Sequence, residues 1–459
     1  MIRVPGLVCV DVGSTYTKGA AVHAETGALL AVATHPTTLT PDVLVGLDAV
    51  RADLAAQVEQ LVVDEVLVCS SAGGGLRLAV VGYERAVTAE AGYLVGLSAG
   101  ARVVHVAAGR LDVAGVAALV DSRPDVVLLV GGTDGGDTEM IVHNGDRIAR
   151  SHLRCPVVVA GNAEVTSSVA TALTVRGKHV LSTVNVLPSI GVLDAAPARA
   201  MIREVFIRHV IGGKRLSRGA QFASLVRAAT PDAVLAGVEV LADGAGGAPG
   251  AGDVLVVDVG GATTDVYSVV TPDPEESTLR REVVEVTWRG RTVEGDLGVR
   301  SSAGGVVDAA VAERLVDPEE AVELRRAAGR RVADPAYVAV EGDVADDVAL
   351  TSLAATIAVR RHARPHVVTG VGGAEVRRGG RDLRQVALVV GSGGVLRHAP
   401  LAVAQQVLEA VVGDLSGGWK VPENARLVVD TSYVLAPAGL LALSGRVDVA
   451  ARLLRANLG

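Results

Sequence analysis

Asp11-Val12-Gly13-Ser14-Thr15-Tyr16-Thr17-Lys18 and Asp258-Val259-Gly260-Gly261-Ala262-Thr263-Thr264-Asp265 align without a gap. Each octet follows an apolar run and leads into a second one. Each therefore reads as a strand, a glycine-bearing turn and a returning strand. Roughly half of the 459 residues separate the two copies. Solenoid repeats recur every 20–50 residues or so, so the pattern points to two similar half-molecules facing one another.

Such turns suit a phosphate. Glycine lets the backbone approach a ligand closely, and successive turn N–H groups form an anion-binding nest. Ser14, Thr15, Thr263 and Thr264 add hydroxyl donors, and Lys18 adds a point charge. Asp11 and Asp258 stand at strand ends, where carboxylates hold Mg²⁺ through its waters. One Asp-Gly turn alone is an ordinary hairpin feature; two copies of the octet are not. A third glycine turn, Gly391-Ser392-Gly393-Gly394, follows the strand expected near 386–390. Its glycines permit either a flat ring or close helix–strand packing.

Outward from the first octet, 29–34 completes an antiparallel meander, and 41–61 has helical spacing with early aspartates. From 65 to about 184, short Val/Leu runs at 66–69, 103–106, 126–130, 157–159 and 180–184 alternate with Ala-rich stretches. That alternation predicts a parallel β/α unit. A helix is expected at 196–209, a glycine-rich loop at 243–252, a turn at 272–277 and a strand at 282–288. Further helices are expected at 306–315, 318–330, 401–412 and 447–457. The chain is expected to divide into 1–64, the N-terminal part of the first half-molecule; 65–215, an inserted β/α domain; 216–252, a helix and loop; and 253–459, the second half-molecule.

Composition narrows the function. Apolar residues are 49% and charged residues 20% of the chain, a globular balance. Aromatics are 2%, so Val, Leu, Ile and Ala must build the core. The net charge is −8 with no basic run, which argues against nucleic-acid binding. Cys9, Cys69 and Cys155 are isolated, which disfavours zinc ribbons and local iron–sulfur sites and suits a reducing, cytoplasmic setting. No run reaches the ~18–20 apolar residues of a membrane helix, and neither a membrane nor a nucleic acid is an expected partner.

The order of two phosphate hairpins and an adenosine turn resembles the actin, heat-shock chaperone and sugar-kinase ATPase superfamily. Asp232-Ala233-Val234-Leu235-Ala236-Gly237 and Ala436-Pro437-Ala438-Gly439-Leu440 resemble its two interdomain helices. That resemblance implies an α/β fold: a two-domain actin-like ATPase built from duplicated ribonuclease H-like halves, here with an inserted β/α domain. It also implies ATP and Mg²⁺ in the cleft, with Asp11 and Asp258 as catalytic and metal-holding residues. A narrower resemblance covers nearly the whole chain. Ser70-Ser71-Ala72-Gly73-Gly74-Gly75-Leu76-Arg77, Val130-Gly131-Gly132-Thr133-Asp134-Gly135-Gly136, Asn162-Ala163-Glu164-Val165 and Glu294-Gly295-Asp296-Leu297-Gly298-Val299-Arg300 look like the MutL family associated with glutamate mutase. That family is distinct from the mismatch-repair MutL. It implies an ATPase acting as chaperone or reactivating factor for an adenosylcobalamin-dependent mutase. The alternative is a small-molecule kinase of the same superfamily.

Two glycine loops, 70–75 and 131–138, are expected at one end of the inserted sheet, where open α/β sheets bind ligands. For each, a self-bonded turn is the competing reading. His362 and His366 stand four apart, but Pro365 argues against a helical metal pair, leaving a surface or loop role.

Overall fold

The computed structural model describes residues 3–72, 76–84, 87–99, 101–211, 216–217, 221–271, 289–334, 337, 343–364, 366–369, 375–378, 381–414 and 418–459. The turn expected at 272–277, the strand expected at 282–288, Gly73, Gly74, Gly75, Lys214 and Pro365 lie outside the described residues.

β1 (Val4–Val12), β2 (Tyr16–His23) and β3 (Leu29–Pro36) form the expected meander, with Asp11 opposite Lys18. β1 is apolar almost throughout because both of its faces are covered. The helix Val43–Gln57 lays Val43, Leu47, Val50 and Leu54 on one face of the sheet. Asp42 starts it by accepting Leu44 N–H at 2.9 Å. β4 (Leu61–Ser70) lies parallel to β1, with Cys69 beside Asp11.

The chain then leaves this lobe. β5 (Arg77–Gly82), β6 (Arg102–Ala108), β7 (Val126–Leu129), β8 (Val157–Val159) and β9 (Val180–Ser182) form an all-parallel sheet in the order β6-β5-β7-β8-β9. β10 (Val226–Ala229) returns to pair with β4, giving the first lobe the order β10-β4-β1-β2-β3. A division at 65 therefore cuts through β4. The run at 66–69 is the fourth strand of the first lobe, and its parallel partner is too distant in sequence for local pattern to reveal. The 216–252 segment likewise includes a first-lobe strand.

β11 (Gly244–Ala245) and β12 (Ala248–Pro249) make a small hairpin inside the expected loop. β13 (Val254–Val259), β14 (Thr264–Val269) and β15 (Arg289–Glu294) repeat the meander. After a short hairpin of β16 (His366–Thr369) and β17 (Glu375–Arg378) come β18 (Leu388–Ser392) and β19 (Arg426–Val429). The second sheet has the order β15-β14-β13-β18-β19, which matches β3-β2-β1-β4-β10 strand for strand. The duplication read from the octets is thus a duplication of whole sheets, and the fold is a two-lobed actin-like one.

Two helices, Thr230–Asp243 and Leu435–Leu443, lie between the lobes. Leu7, Cys9 and Val22 of one sheet and Val254, Val256 and Tyr267 of the other share a core with Leu235, Val238 and Leu440. The helices touch backbone to backbone. A Cβ on Gly237 would stand 2.2 Å from Leu435 O, and one on Gly439 would stand 1.6 Å from Ala233 O. The inserted sheet is not a separate bead. Leu78, Val80, Leu128 and Val158 belong to the same core as Val8, Val10 and Val12. Its other face packs Val81, Val127 and Leu129 against Leu119, Ile141, Ile148 and Leu173. Among the described residues, no helix is long and apolar enough to cross a membrane.

Candidate functional site

The two octet turns close in the same way. Gly13 N–H donates to Tyr16 O at 3.1 Å, and Gly260 N–H donates to Thr263 O at 2.9 Å. Both glycines are needed for closeness. A Cβ would stand 2.7 Å from Tyr16 O in the first turn and 2.9 Å from Thr263 O in the second. Ser14, Thr15 and Gly261 are exposed at the tips. The second turn is strapped from below: Arg300 N–H donates to Gly261 O at 2.8 Å, and a Cβ on Gly261 would meet the Arg300 stem at 3.3 Å. The Arg300 guanidinium forks onto Asp347 at 3.0 and 2.9 Å, and fully buried Arg331 reaches the same carboxylate.

The equivalent aspartates differ in their surroundings. Asp11 is buried, and both oxygens are engaged. Tyr433 Oη donates to Oδ2 at 2.7 Å, Thr230 Oγ1 donates to Oδ1, and Cys69 Sγ donates to Oδ1 at 3.6 Å. Asp258 is half-buried, and among the described residues its carboxylate has no recorded hydrogen bond. Burial pushes its pKa up from the ordinary 3.8 to about 6; Lys18 opposes the rise, and Asp265, Asp11 and Asp430 add to it. Asp11 lies near enough for its charge to be felt at Asp258, and of the two carboxylates that of Asp258 makes no hydrogen bond to the described residues.

Lys18 Nζ lies 3.9 Å from the centre of the Tyr433 ring, and the Arg397 guanidinium lies 4.9 Å from it. The position matching Lys18 in the second octet is Asp265, which Arg291 neutralises at 2.6 Å. Thr263 is half-buried and donates to Asp265 at 3.4 Å. Thr264 is fully buried and donates to Leu297 O at 2.6 Å. Its hydroxyl therefore faces the lobe interior, which corrects its expected place among the phosphate donors.

The third turn is mostly structural. Cβ atoms on Gly391 and Gly393 would stand 2.9 Å from Leu408 and 2.1 Å from Val259 O, and Gly393 has φ 105°. Ser392 is buried in register with Asp258. Only Gly394 faces open space, at the start of the helix Gly394–His398. Asp430, absent from the sequence reading, accepts Val434 N–H at 2.8 Å and Leu435 N–H at 3.2 Å and so starts the second interlobe helix. Its position after a strand and before an Ala/Leu run was the available signal. Tyr433 and Thr230 carry no such signal.

The aspartates of the 131–138 loop are taken up by donors of the protein itself. Asp134 accepts from Ala163 N–H and from Asn185 Nδ2, each at 2.9 Å. Asp137 accepts Met140 N–H at 3.1 Å. Ser71 and Ala72 N–H groups donate to Val12 O, so these two residues abut the first octet. His362 is buried on the helix Val344–Ala363, bonded to Ser268 Oγ and Thr292 Oγ1 at 2.8 Å each, and is not a surface residue. Among the described residues, no group of three or more His, Cys, Asp or Glu is placed to hold a metal ion.

Known proteins can now be set beside this geometry. A glycerol dehydratase reactivase overlaps at 12% identity over 96% of this chain and 100% of that one, with a TM-score of 0.34. Plasmodium falciparum glycerol kinase with ADP overlaps at 10% identity over 99% and 93%, with a TM-score of 0.34. Overlaps this weak assign no role. In sequence, "Protein MutL" of Clostridium tetanomorphum is 35% identical over 448 residues, covering 94% of this chain and 95% of that protein. The family model described as MutL protein matches residues 7–458. On those two matches, the chain belongs to the MutL protein family, in the sense associated with glutamate mutase and not with mismatch repair.

Proposed function

We propose that the protein binds ATP with Mg²⁺ between its lobes, hydrolyses it slowly, and uses the cycle to reactivate an adenosylcobalamin-dependent mutase of the glutamate mutase or aminomutase type in the cytoplasm. The observation that carries the nucleotide part is Asp258: a half-buried carboxylate with no hydrogen bond to the described residues, within reach of the Lys18 charge and at the entry to the second of two matched glycine turns. A carboxylate left without a partner in such a place fits a hydrated divalent cation.

In this reading Asp258, together with Asp11 once the outer oxygen of Asp11 is released, would hold the ion through its waters, and the ion would supply neutralisation of the phosphate charge. Lys18 carries a second positive charge to the phosphates. The N–H groups and hydroxyls of Ser14 and Thr15 and the N–H of Gly261 bind phosphate oxygens, the Gly260 N–H being spent on closing its turn, and Gly394 leaves room for the nucleoside. The two helices packed at Gly237 and Gly439 give the lobes a shared hinge, so a nucleotide touching both lobes biases their angle. A mutase docked on the protein responds to that angle. The family relationship supports the mutase partner.

The test is calorimetric titration with Mg·ATP, followed by ATPase assays with and without purified mutase. Binding that Lys18→Ala weakens at least tenfold, and hydrolysis that the mutase accelerates, are the expected results. Phosphoryl transfer to a small hydroxylated acceptor would replace this reading with the kinase one.

A further inference from the structure

One side chain from the second lobe engages both Asp11 and Lys18 of the first lobe. Tyr433 lies between β19 and the helix Leu435–Leu443. Its hydroxyl donates to Asp11 at 2.7 Å, and its ring lies under Lys18 at 3.9 Å. Asp11 and Lys18 are cross-strand partners in the first hairpin. Arg397 lies 4.9 Å from the same ring, so two cations share one aromatic surface. Tyr433 is nearly buried and has φ 55°, a left-handed conformation that a tyrosine rarely adopts. A non-glycine residue stays in that conformation when its surroundings hold it there.

We propose that Tyr433 is a positioning residue, an interlobe latch that Mg·nucleotide must displace. The inference rests on the nucleotide reading of the cleft. A hydrated Mg²⁺ needs carboxylate oxygens that are not already accepting protein hydrogen bonds, and the outer oxygen of Asp11 accepts from Tyr433. A polyphosphate attracts the Lys18 ammonium more strongly than a ring quadrupole does. Nucleotide entry therefore draws Lys18 off the ring and competes for Asp11. Both contacts between Tyr433 and the first lobe weaken together. The other donors to Asp11, Thr230 and Cys69, are unaffected, so the hinge loosens on one side while its first helix stays anchored.

The test compares the full-length wild type with Tyr433→Phe and Tyr433→Leu. Tyr433→Phe keeps the ring and frees the Asp11 oxygen. It is expected to bind Mg·ATP about tenfold more tightly, and Tyr433→Leu at least as tightly as that. Without nucleotide, amide hydrogen exchange in the helix Leu435–Leu443 is expected to speed up in both variants. A tyrosine that is merely structural would weaken ATP binding when replaced. Unchanged or weaker affinity in Tyr433→Phe overturns the latch. If the wild type itself binds no ATP, the nucleotide reading fails and displacement fails with it. The exchange measurement needs no ligand and then decides the Tyr433–Asp11 contact alone.

Discussion

Replacing Asp258 by asparagine is expected to stabilise the ligand-free protein while abolishing its response to Mg·ATP. A carboxyl whose pKa rises from 3.8 to about 6 on folding binds its proton more tightly in the native state. Between those values the native protein holds more protons than the unfolded chain. Stability then falls as pH rises through the window and stays lower above it. The full displacement corresponds to about 3 kcal/mol at pH 7.5 and about 1 kcal/mol at pH 4.5. Water at the half-buried carboxylate screens part of this, so about 1–3 kcal/mol is the expected gain for Asp258→Asn at neutral pH. Unfolding entropy near 2.1 cal/mol/K per residue puts that at about 1–3 °C in Tm for a chain this long. The matched variant Asp11→Asn has the opposite sign. Asp11 accepts from Tyr433, Thr230 and Cys69, and an amide cannot accept at both positions, so a buried donor loses its partner at about 1–3 kcal/mol. Thermal melts of both variants at pH 4.5, 6 and 7.5 check this. Equal shifts in the same direction would refute the claim that the ligand-free protein engages Asp11 in its fold and leaves Asp258 unpartnered.

Gly439→Ala places a methyl group 1.6 Å from Ala233 O; it should cost about 3 kcal/mol or more, whereas Gly304→Ala, with nothing within 4 Å, should be neutral or stabilising by about 0.5–1 kcal/mol. Asp347→Ala strips the carboxylate from Arg300 and from fully buried Arg331, which should cost about 3 kcal/mol. Because Arg300 also braces Gly261, Mg·ATP affinity should fall with it, as titration of the refolded variant would show.

Local order made the hairpins legible, because an octet of Asp, Gly and hydroxyl residues between apolar runs has one reading in backbone terms. The interlobe helices were legible for a related reason: Gly237 and Gly439 mark where two backbones meet. Partnership at long range was not legible. The run at 66–69 carries no mark of pairing with β1 and not with β5, and β5 itself hides behind a glycine stretch. The helix Val344–Ala363 escaped notice because Asp347, Thr351, Arg360 and His362 are buried along with its alanines, which erases the amphipathic stripe. Sidedness misled the site reading in detail. Thr263 and Thr264 are neighbours with the same chemistry, yet Thr264, the first residue of β14, turns its hydroxyl inward to Leu297 O while Thr263 before it donates to Asp265.

Duplication copies a geometry, and the connections between the copies then break its symmetry. Asp11 and Asp258 occupy the same place in the same turn, but both interlobe helices begin beside Asp11. Thr230 is the first residue of one helix, and Tyr433 lies two residues before the other. Helix starts present positive charge and donors, so a carboxylate there is the natural pin for both. Once Asp11 pins the helices, it is committed to joining the lobes, and any demand a ligand makes on it is also a demand on the hinge. Asp258 accepts from neither interlobe helix, pays in desolvation for remaining unpartnered, and keeps its oxygens open. One aspartate therefore reports on the angle between the lobes, the other on what lies between them, and Lys18, cross-strand from Asp11 and over the Tyr433 ring, carries a charge that Asp258 feels.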